Sequence, residues 1–414
     1  MVQRVQSMSQ GIGTEREMVN MIEINPRKAQ QLVGELIAID SVNPSLVLGG
    51  AGEQAAAEHI LRHLESVGIP GRLDRVAKGR PNVIGVLPPS AEGGCDPFAL
   101  RHGLMLNGHL DTVGTVAMEE DALKPRFEGD RVYGRGSLDM KGGLVMGLLA
   151  LDAVKRSGRT LRRSVLFTGV VDEEYASAGT EDVVSRYEAD AAVVMEPTAL
   201  KLHLAHKGFA WATVEISGRA AHGSNYEEGV DAIAKMGRLL VELENLGAHY
   251  LRADGHPLVG KPSIHASLIE GGRELSTYPD HCKLQLERRT LPGEDPAGIA
   301  QELDRICSRL RDADPEFQYK IAVDFTRDAY EVESSDPVVR ALGRSWEKVT
   351  GTKPEYAGSS GWLDSALLGE AGIPTVIFGP DGAGAHASVE YVLMSSMIEG
   401  AEVLAETILH LCGT

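Results

Sequence analysis

Cysteine is scarce in this chain of 414 residues, and acidic residues outnumber basic ones. The four cysteines, Cys95, Cys282, Cys307 and Cys412, are scattered without a CxxC pair, which predicts reduced thiols rather than a disulfide framework. Lys and Arg number 41 against 59 Asp and Glu, for a formal net charge of −18. We therefore expect no nucleic-acid partner, because phosphate recognition needs clustered cations.

Long apolar runs are also missing. The longest, residues 142–150, falls well short of the about 20 residues that a helix needs to cross a bilayer. The first residues, MVQRVQSMSQGIGTERE, lack both a continuous apolar segment and a small-residue cleavage site, so they are not typical of a secretory signal. We expect them to form a flexible tail on a cytoplasmic protein with no membrane partner.

The chain is too long for a single ordinary core, and its apolar pattern predicts a discontinuous α/β domain. Short apolar runs flanked by turn residues alternate with helical segments, which favours buried, largely parallel strands. The predicted strands lie at residues 82–87, 104–106, 165–171, 191–195 and 374–378. Predicted helices lie near residues 25–37, 52–66, 140–155, 180–187 and 336–350, and a final helix reaches the C-terminus.

The pattern changes near residue 207. Strand, helix, two strands, helix and strand follow in the order of a split βαβ, ferredoxin-like unit, at about residues 209–217, 228–245, 263–269, 281–289, 296–311 and 319–325. The predicted organisation is a tail at 1–23, the α/β domain at 24–206 and 328–414, and an inserted domain at 207–327.

Acidic or histidine residues end several of the predicted strands and loops. They are His109 and Asp111, Asp139, Glu173 and Glu174, Glu196, and His386. In an open α/β sheet, ligands bind outside the carboxyl ends of the strands. Each position also has an ordinary interpretation, such as a strand-end histidine, a helix-capping Asp or a solvated acidic turn.

The spacing within these positions indicates a metal site. His109 and Asp111, two residues apart on an extended segment, fall on the same side, so the carboxylate could orient a metal-bound imidazole. Glu173 and Glu174 are adjacent and repel one another, which a cation would compensate, with one as ligand and the other as general base. The whole set could hold two divalent cations bridged by one carboxylate.

The motifs GHLDTV, YGRGSLDMKGG, DEE, MEPT, AAHGSNYEEGVDAI, ERRTLPGED and GAHASVEYV occur in an order that resembles the M20 metallopeptidases. This family includes acetylornithine deacetylase, succinyl-diaminopimelate desuccinylase, aminoacylase and glutamate carboxypeptidase, and the resemblance covers about residues 28–410. It implies a catalytic α/β domain with an inserted lid and dimerisation domain, and hence a homodimer.

The resemblance also implies roles for individual residues. Asp139 would bridge two metal ions, with His109 and Glu196 completing one site and Glu174 and His386 the other. Asp111 would orient His109, and Glu173 would be the general base. His222 would reach the partner subunit's active site and stabilise the oxyanion, and Arg289 would hold a substrate carboxylate.

One position departs from the family pattern. Many members have Asn where the segment GGRELSTYP places Ser276, a position that often contacts substrate. The specificity of any one member is therefore not carried over. A substrate carboxylate held by Arg289 fits N-acyl amino acids, so the expected function is hydrolysis of an amide bond in a small carboxylate-bearing substrate of this kind.

The sequence leaves other interpretations open. They are a dipeptidase or carboxypeptidase, hydrolysis of a carbamoyl or aryl-amine C–N bond, and a non-catalytic metal-binding protein. A two-metal phosphoryl-transfer enzyme is disfavoured, because no GxxxxGK[ST] cradle is present. Ligands without thiolate suit zinc, although manganese and cobalt accept the same donors.

Overall fold

The computed structural model describes residues 22–90, 96–99, 101–252 and 254–414. Most of the predicted tail and Cys95 lie outside these residues. The chain forms two compact units. The first comprises the described residues up to His203 with Val332–Tyr356 and Leu367–Thr414, and the second comprises the described residues of Leu204–Glu331 with Ala357–Ala366. The limits 207–327 of the inserted functional domain stay a prediction.

The helices and strands alternate through most of the chain. Up to residue 206 they are α1 (Pro26–Ile37), α2 (Gln54–Ser66), β1 (Gly71–Ala77), β2 (Arg80–Leu87), β3 (Leu104–His109), β4 (Arg126–Glu128), β5 (Arg131–Tyr133), α3 (Gly142–Arg156), β6 (Val165–Val170), α4 (Ala178–Arg186), β7 (Ala192–Val194) and β8 (Leu202–His206). Next come β9 (Gly208–Ser217), α5 (Ala232–Arg252), β10 (Ser263–Gly271), β11 (His281–Thr290), α6 (Ile299–Ala313), β12 (Gln318–Arg327) and β13 (Tyr330–Glu331). The remainder are α7 (Pro337–Thr350), β14 (Tyr356–Ser359), α8 (Ser365–Glu370), β15 (Thr375–Ile377), β16 (Gly382–Ala383), β17 (Tyr391–Leu393) and α9 (Met394–Cys412).

The first unit is built on a mixed sheet whose centre is parallel, as the apolar pattern predicts. Its strands are ordered β1-β2-β6-β3-β7-β15, and β6, β3, β7 and β15 run parallel to one another. Every residue of β3, β6 and β7 is buried, as expected for strands covered on both faces. The hairpin β1–β2 adds an antiparallel edge, because β2 pairs antiparallel with β6.

Helix ends in the first unit follow simple capping chemistry. The Asn25 side chain accepts hydrogen bonds from the backbone of α1, and Pro26 occupies its first turn. Asp336 caps α7 in the same way. Helix α3 is buried from Gly142 to Val154 and packs against α9 and α1, so this short apolar run is a core helix.

The second unit has the predicted ferredoxin-like order β9-α5-β10-β11-α6-β12. Its antiparallel sheet is ordered β10-β11-β9-β12. Alternate residues of β9, from Ala210 to Ile216, face a core that they share with α5 and α6. Cys282 and Cys307 are buried free thiols in this core.

Across the described ranges, the structure contains no helix that is both long and apolar enough to cross a membrane.

Candidate metal centre

The parallel strands bring the sequence motifs to one edge of the first unit's sheet. His109 is the last residue of β3, Glu173 and Glu174 follow β6, and Glu196 follows β7. The register pairs His109 with Val170, the last residue of β6. Because β3, β6 and β7 are parallel, their carboxyl ends coincide, and the side chains that follow them converge.

Asp139 lies in the irregular turn that precedes α3. Gly136 makes this turn possible, because its φ of +77° is left-handed and a Cβ there would lie 2.7 Å from the Thr112 side chain. The peptide bond from Asp139 to Met140 is cis. Lys141 occupies the N-cap position of α3, so Asp139 is not the helix cap that its sequence position also allowed.

His386 lies in the loop between β16 and β17. It has a left-handed φ of +61°, a conformation that costs a non-glycine residue about 1–3 kcal/mol and that the surrounding loop must enforce. Gly384 permits the tight loop, since a Cβ there would lie 1.8 Å from the carbonyl oxygen of Val389.

The Asp139 carboxylate joins the two histidines. Its Oδ1 lies 3.1 Å from Nε2 of His109, and its Oδ2 lies 3.2 Å from Nε2 of His386. His386 Nε2 is also 3.0 Å from Oε2 of Glu174. One carboxylate thus presents one oxygen to each imidazole, which is the arrangement of a bridging ligand.

The other carboxylates surround His109. Its Nε2 lies 3.5 Å from Glu196 Oε1 and 3.9 Å from Glu173 Oε2. The side chains of Glu173 and Glu174 are only 10% and 6% exposed, which excludes a solvated acidic turn. Ligand atoms of His109, Asp139 and Glu174, and likewise of His109, Glu173 and Glu196, lie within 4.8 Å of one another.

The electrostatics of this cluster reflect an excess of negative charge. Burial lowers the pKa of His109, but Glu196 and the hydrogen bond to Asp139 outweigh it and raise that pKa well above its ordinary value. Hydrogen bonds to Asp139 and Glu174 raise the pKa of His386 to about 10. Burial raises the pKa of Glu174, opposed by the hydrogen bond to His386. These directions are the ones expected where several carboxylates crowd around two imidazoles.

The donor set fits divalent cations. Nδ1 of His109 lies 2.9 Å from the main-chain oxygen of Asp111, so it donates there and turns the Nε2 lone pair toward Asp139 and Glu196. Acceptors facing one another at these distances need a proton or a cation between them. Imidazole nitrogen and carboxylate oxygen are donors that zinc takes in proteins.

The Asp111 carboxylate has a different main contact from the one the sequence suggests. Its Oδ1 is 3.6 Å from His109 Nδ1, farther than the main-chain oxygen. The carboxylate instead accepts hydrogen bonds from the backbone N–H groups of Glu173 and Glu174 at 3.2 and 3.1 Å. Asp111 therefore holds His109 through its carbonyl and the acidic loop through its side chain.

Sequence reasoning missed the buried residues behind the centre. Asn43 donates to Asp111 at 2.8 Å and to Asp172 at 3.2 Å, and Arg80 binds Asp172 at 2.8 Å. The segment SVNPS around Asn43 has the composition of a helix breaker, and nothing else in it marks a contact to the centre. The pair Arg135 and Glu390 was missed as well, although both lie inside the quoted motifs.

The remaining predicted residues belong to the second unit. His222 is exposed, pairs with Thr277 in an isolated antiparallel bridge, and has its Nδ1 2.8 Å from Ser224 Oγ. The neighbouring Gly223 N–H donates to the carbonyl of Ser276 at 2.7 Å. The segments carrying His222 and Ser276 are therefore adjacent within this unit.

Arg289 is partly neutralised within its own strand. Its Nε donates to Glu287 Oε1 at 2.7 Å, and its guanidinium lies 5.2 Å from the ring centre of Phe209. Glu287 also accepts a hydrogen bond from Nε1 of Trp211 at 3.0 Å. The Arg289 side chain keeps 29% exposure, and its guanidinium has a second edge for another anion.

The sequence model of peptidase family M20/M25/M40 matches residues 105–410, so the chain belongs to this family. It is a metal-dependent hydrolase that acts on C–N bonds. The chain is 30% identical over 391 residues to acetylornithine deacetylase of Myxococcus xanthus, covering 92% of this chain and 96% of that protein. It is 29% identical over 368 residues to N-formyl-4-amino-5-aminomethyl-2-methylpyrimidine deformylase of Bacillus subtilis strain 168, covering 81% of this chain and 84% of that protein.

Solved structures share the fold. Aminopeptidase PepT from Bacillus cereus superposes with a TM-score of 0.76 at 19% identity, covering 94% of this chain and 99% of that one. The Bacillus subtilis YXEP protein, described as a dinuclear metal binding peptidase of the M20 family, superposes with a TM-score of 0.71 at 14% identity and covers 93% and 98%. These likenesses agree with the α/β fold class expected from the sequence.

Proposed function

We propose that this protein hydrolyses the amide bond of a small carboxylate-bearing substrate, such as an N-acyl amino acid. The observation that carries the proposal is the Asp139 carboxylate, which offers one oxygen to each of two imidazoles that also face three glutamates. The relative named acetylornithine deacetylase supports a deacylase over other C–N hydrolases.

The proposed metal ligands are those that the family resemblance assigns. Asp139 would hold both ions, His109 and Glu196 would complete one site, and Glu174 and His386 would complete the other. Zinc is the proposed metal, because the set contains imidazole and carboxylate donors without thiolate. When bound, the metal pair would supply Lewis-acid activation of water and of the scissile carbonyl.

Glu173 is the proposed general base. It takes a proton from the attacking water and delivers it to the leaving nitrogen, which would otherwise leave poorly. Its near-complete burial beside His109 keeps the carboxylate in one place, and the bond from its backbone N–H to Asp111 fixes the segment that carries it. Asp111 is thus a proposed positioning residue for His109 and for Glu173.

Residues of the second unit complete the proposal. The imidazole of His222 of the partner subunit donates to the developing oxyanion, and one such donor is typically worth about 3–4 kcal/mol. Arg289 holds the substrate carboxylate, and Ser276 contributes to the choice of substrate. The exposure of His222 supports its role, because a side chain that serves a neighbouring subunit must be available to it.

A second candidate is deacylation of a heteroaromatic amine. The relative named for a formylated aminopyrimidine favours it, and so does the bond between Arg289 and Glu287, which reduces the attraction of this site for a carboxylate. The aromatic rings of Phe209, Trp211 and Phe325, with centroids 5.2–5.9 Å apart, would suit a planar ring.

A substrate panel separates these candidates. We expect the zinc-loaded protein to hydrolyse N-acetyl amino acids, to lose activity with chelator, and to prefer each acid over its carboxamide. In Arg289→Gln this preference should disappear through a higher KM for the acid, because the guanidinium no longer pairs with the carboxylate. Steady-state kinetics on N-acyl amino acids, their amides, dipeptides, carbamoyl compounds and N-formyl aryl amines measure it.

Arg273→Gln is the matched control, since Arg273 makes a comparable pair with Asp280 in the same unit, at 2.9 Å. It should leave the preference intact. Turnover confined to N-formyl aryl amines would instead support the second candidate, and silence across the panel with two ions bound would contradict hydrolysis of these bonds.

We also propose a homodimer formed through β10. This strand is at one edge of the second unit's sheet, paired only with β11 within the described ranges, and Leu268 and Ile269 on it are 67% and 54% exposed. The opposite edge strand, β12, carries Lys320 and Asp324, charges that discourage pairing. A second copy would cover the apolar edge.

Light scattering after gel filtration tests the dimer. Ile269→Lys should halve the measured mass, because a lysine in the pairing edge introduces two like charges facing each other across a twofold axis. Ala322→Lys, on exposed β12, is the control and should keep the wild-type mass. An unchanged mass for Ile269→Lys would exclude this edge as the interface.

A further inference from the structure

The loops that carry Asp139 and His386 share one fully buried ion pair. Glu390 and Arg135 are each 1% exposed, and Arg135 Nη1 donates to Glu390 Oε2 at 2.6 Å. Arg135 precedes the Asp139 turn, and Glu390 follows the His386 loop. Neither residue has a role in the chemistry proposed above, yet an unpaired charge at either position would be costly.

The Glu390 carboxylate organises the Asp139 turn. Its Oε1 accepts the N–H groups of Leu138 and Asp139 at 2.9 and 3.1 Å, and its Oε2 accepts the N–H of Gly136 at 3.1 Å. Three amides of this turn and one guanidinium therefore point at a single carboxylate. The last of these amides belongs to Asp139 itself, so a shift of Glu390 moves the backbone that carries the bridging carboxylate.

Arg135 extends the connection to the other loop. Its Nη2 donates to the carbonyl oxygen of Ala387 at 3.0 Å, and Ala387 follows His386 directly. His386 needs this support, because its left-handed backbone is not one that the residue adopts by preference. The N–H of Gly134 closes the bridge by donating to the carbonyl of Glu390 at 3.2 Å.

We propose that the Arg135–Glu390 pair is a positioning element that sets the separation of Asp139 and His386 and thereby the affinity of the centre for the ion these two residues share. The proposal rests on the metal ligands assigned above. Residues that orient ligands from behind typically contribute about 10- to 100-fold to metal affinity. Neither residue is placed in contact with substrate.

Arg135→Lys is the sharpest test. Lysine keeps the buried positive charge but ends in a single nitrogen, so it cannot serve Glu390 and Ala387 with two fixed donors. We expect the ion bound by Asp139, Glu174 and His386 to bind about 10- to 100-fold more weakly, and the other ion to change less. Glu390→Gln should weaken the binding of both ions. The NH2 group of Gln is a donor, and it would face N–H donors of the Asp139 turn that now bind a carboxylate oxygen.

The measurements are calorimetric titration of the metal-free protein with zinc and the absorption spectrum of the cobalt-substituted protein. A double-variant cycle assigns the effect: in a His386→Ala background, Arg135→Lys should weaken the ion that remains much less than it weakens the ion shared by Asp139 and His386 in the wild-type background. Asp152→Asn is the control, since Asp152 is a buried acid bound to Lys28 at 2.9 Å and contacts neither ligand loop. It should lower stability without changing either metal affinity.

The outcomes separate this proposal from the one it rests on. A wild-type protein that does not bind two ions would contradict the ligand assignment itself. Wild-type binding of two ions, together with unchanged affinities and an unchanged cobalt spectrum in Arg135→Lys and Glu390→Gln, would overturn the positioning role. An equal effect of Arg135→Lys in the wild-type and His386→Ala backgrounds would also overturn it.

Discussion

Replacing Glu173 with Gln is expected to reduce kcat by about 10²–10⁴-fold while leaving two metal ions bound per chain. Gln has the same shape as Glu but cannot accept a proton from the attacking water or return it to the leaving nitrogen. The backbone N–H of Glu173 still binds Asp111, so the acidic loop should keep its place. Single-turnover kinetics and metal analysis of the same sample measure both quantities.

This substitution distinguishes two roles for Glu173, metal ligand and general base. Oε2 of Glu173 lies near His109 and Glu196 and could itself bind a metal ion, because these three residues form one of the two close donor groups among the described residues. A ligand role predicts loss of an ion together with loss of activity. A base role predicts loss of activity alone, with loss of the acidic limb of the pH profile of kcat/KM. Glu181→Gln, on the exposed side of α4, should retain full activity.

Asp139→Asn is expected to weaken both ions, each by more than the about 100-fold that a supporting residue can contribute. The substitution removes the negative charge and replaces one carboxylate oxygen by an NH2 group, which cannot bind a cation. Since Oδ1 faces His109 and Oδ2 faces His386, the loss reaches both sites. Activity should fall to the background level, and excess zinc should restore little of it.

Zinc titration of the metal-free variant tests this result. His386→Ala provides the comparison, because it should weaken one ion and largely spare the other. Asp182→Asn is a matched control: its side chain is 17% exposed, as that of Asp139 is, but it pairs with Arg186 on α4. If Asp139→Asn affected one ion alone, the carboxylate would not be a bridge.

The α/β fold and its donor residues could be predicted from local patterns. Buried parallel strands appear in sequence as short apolar runs, and β3, β6 and β7 lie where such runs occur. Donors that follow parallel strands must share one edge of the sheet. His109, Glu173 and Glu196 therefore could be grouped before their distances were known, although strand pattern alone did not assign a role to each.

Element limits were less predictable. The helix expected at 228–245 is α5, Ala232–Arg252. It begins later because Gly229 packs against the Tyr278 ring and Val230 pairs with Arg219, and it ends later because its apolar repeat continues to the buried Tyr250. The antiparallel pairing of β2 with β6 also carries no local signal, since a strand buried on both faces has the same composition in either direction.

The sequence by itself determined which donors are present, which strands deliver them and that the second unit adopts a ferredoxin-like order, since each of these depends on short-range periodicity and residue type. Only the tertiary structure decided what holds the donors in place. Glu390 reaches the Asp139 amide across 251 positions of sequence, and Asn43 reaches Asp111 across 68. Such hydrogen bonds form after distant segments pack together, and a buried Glu, Asn or Arg looks the same in sequence as an exposed one until that packing is known.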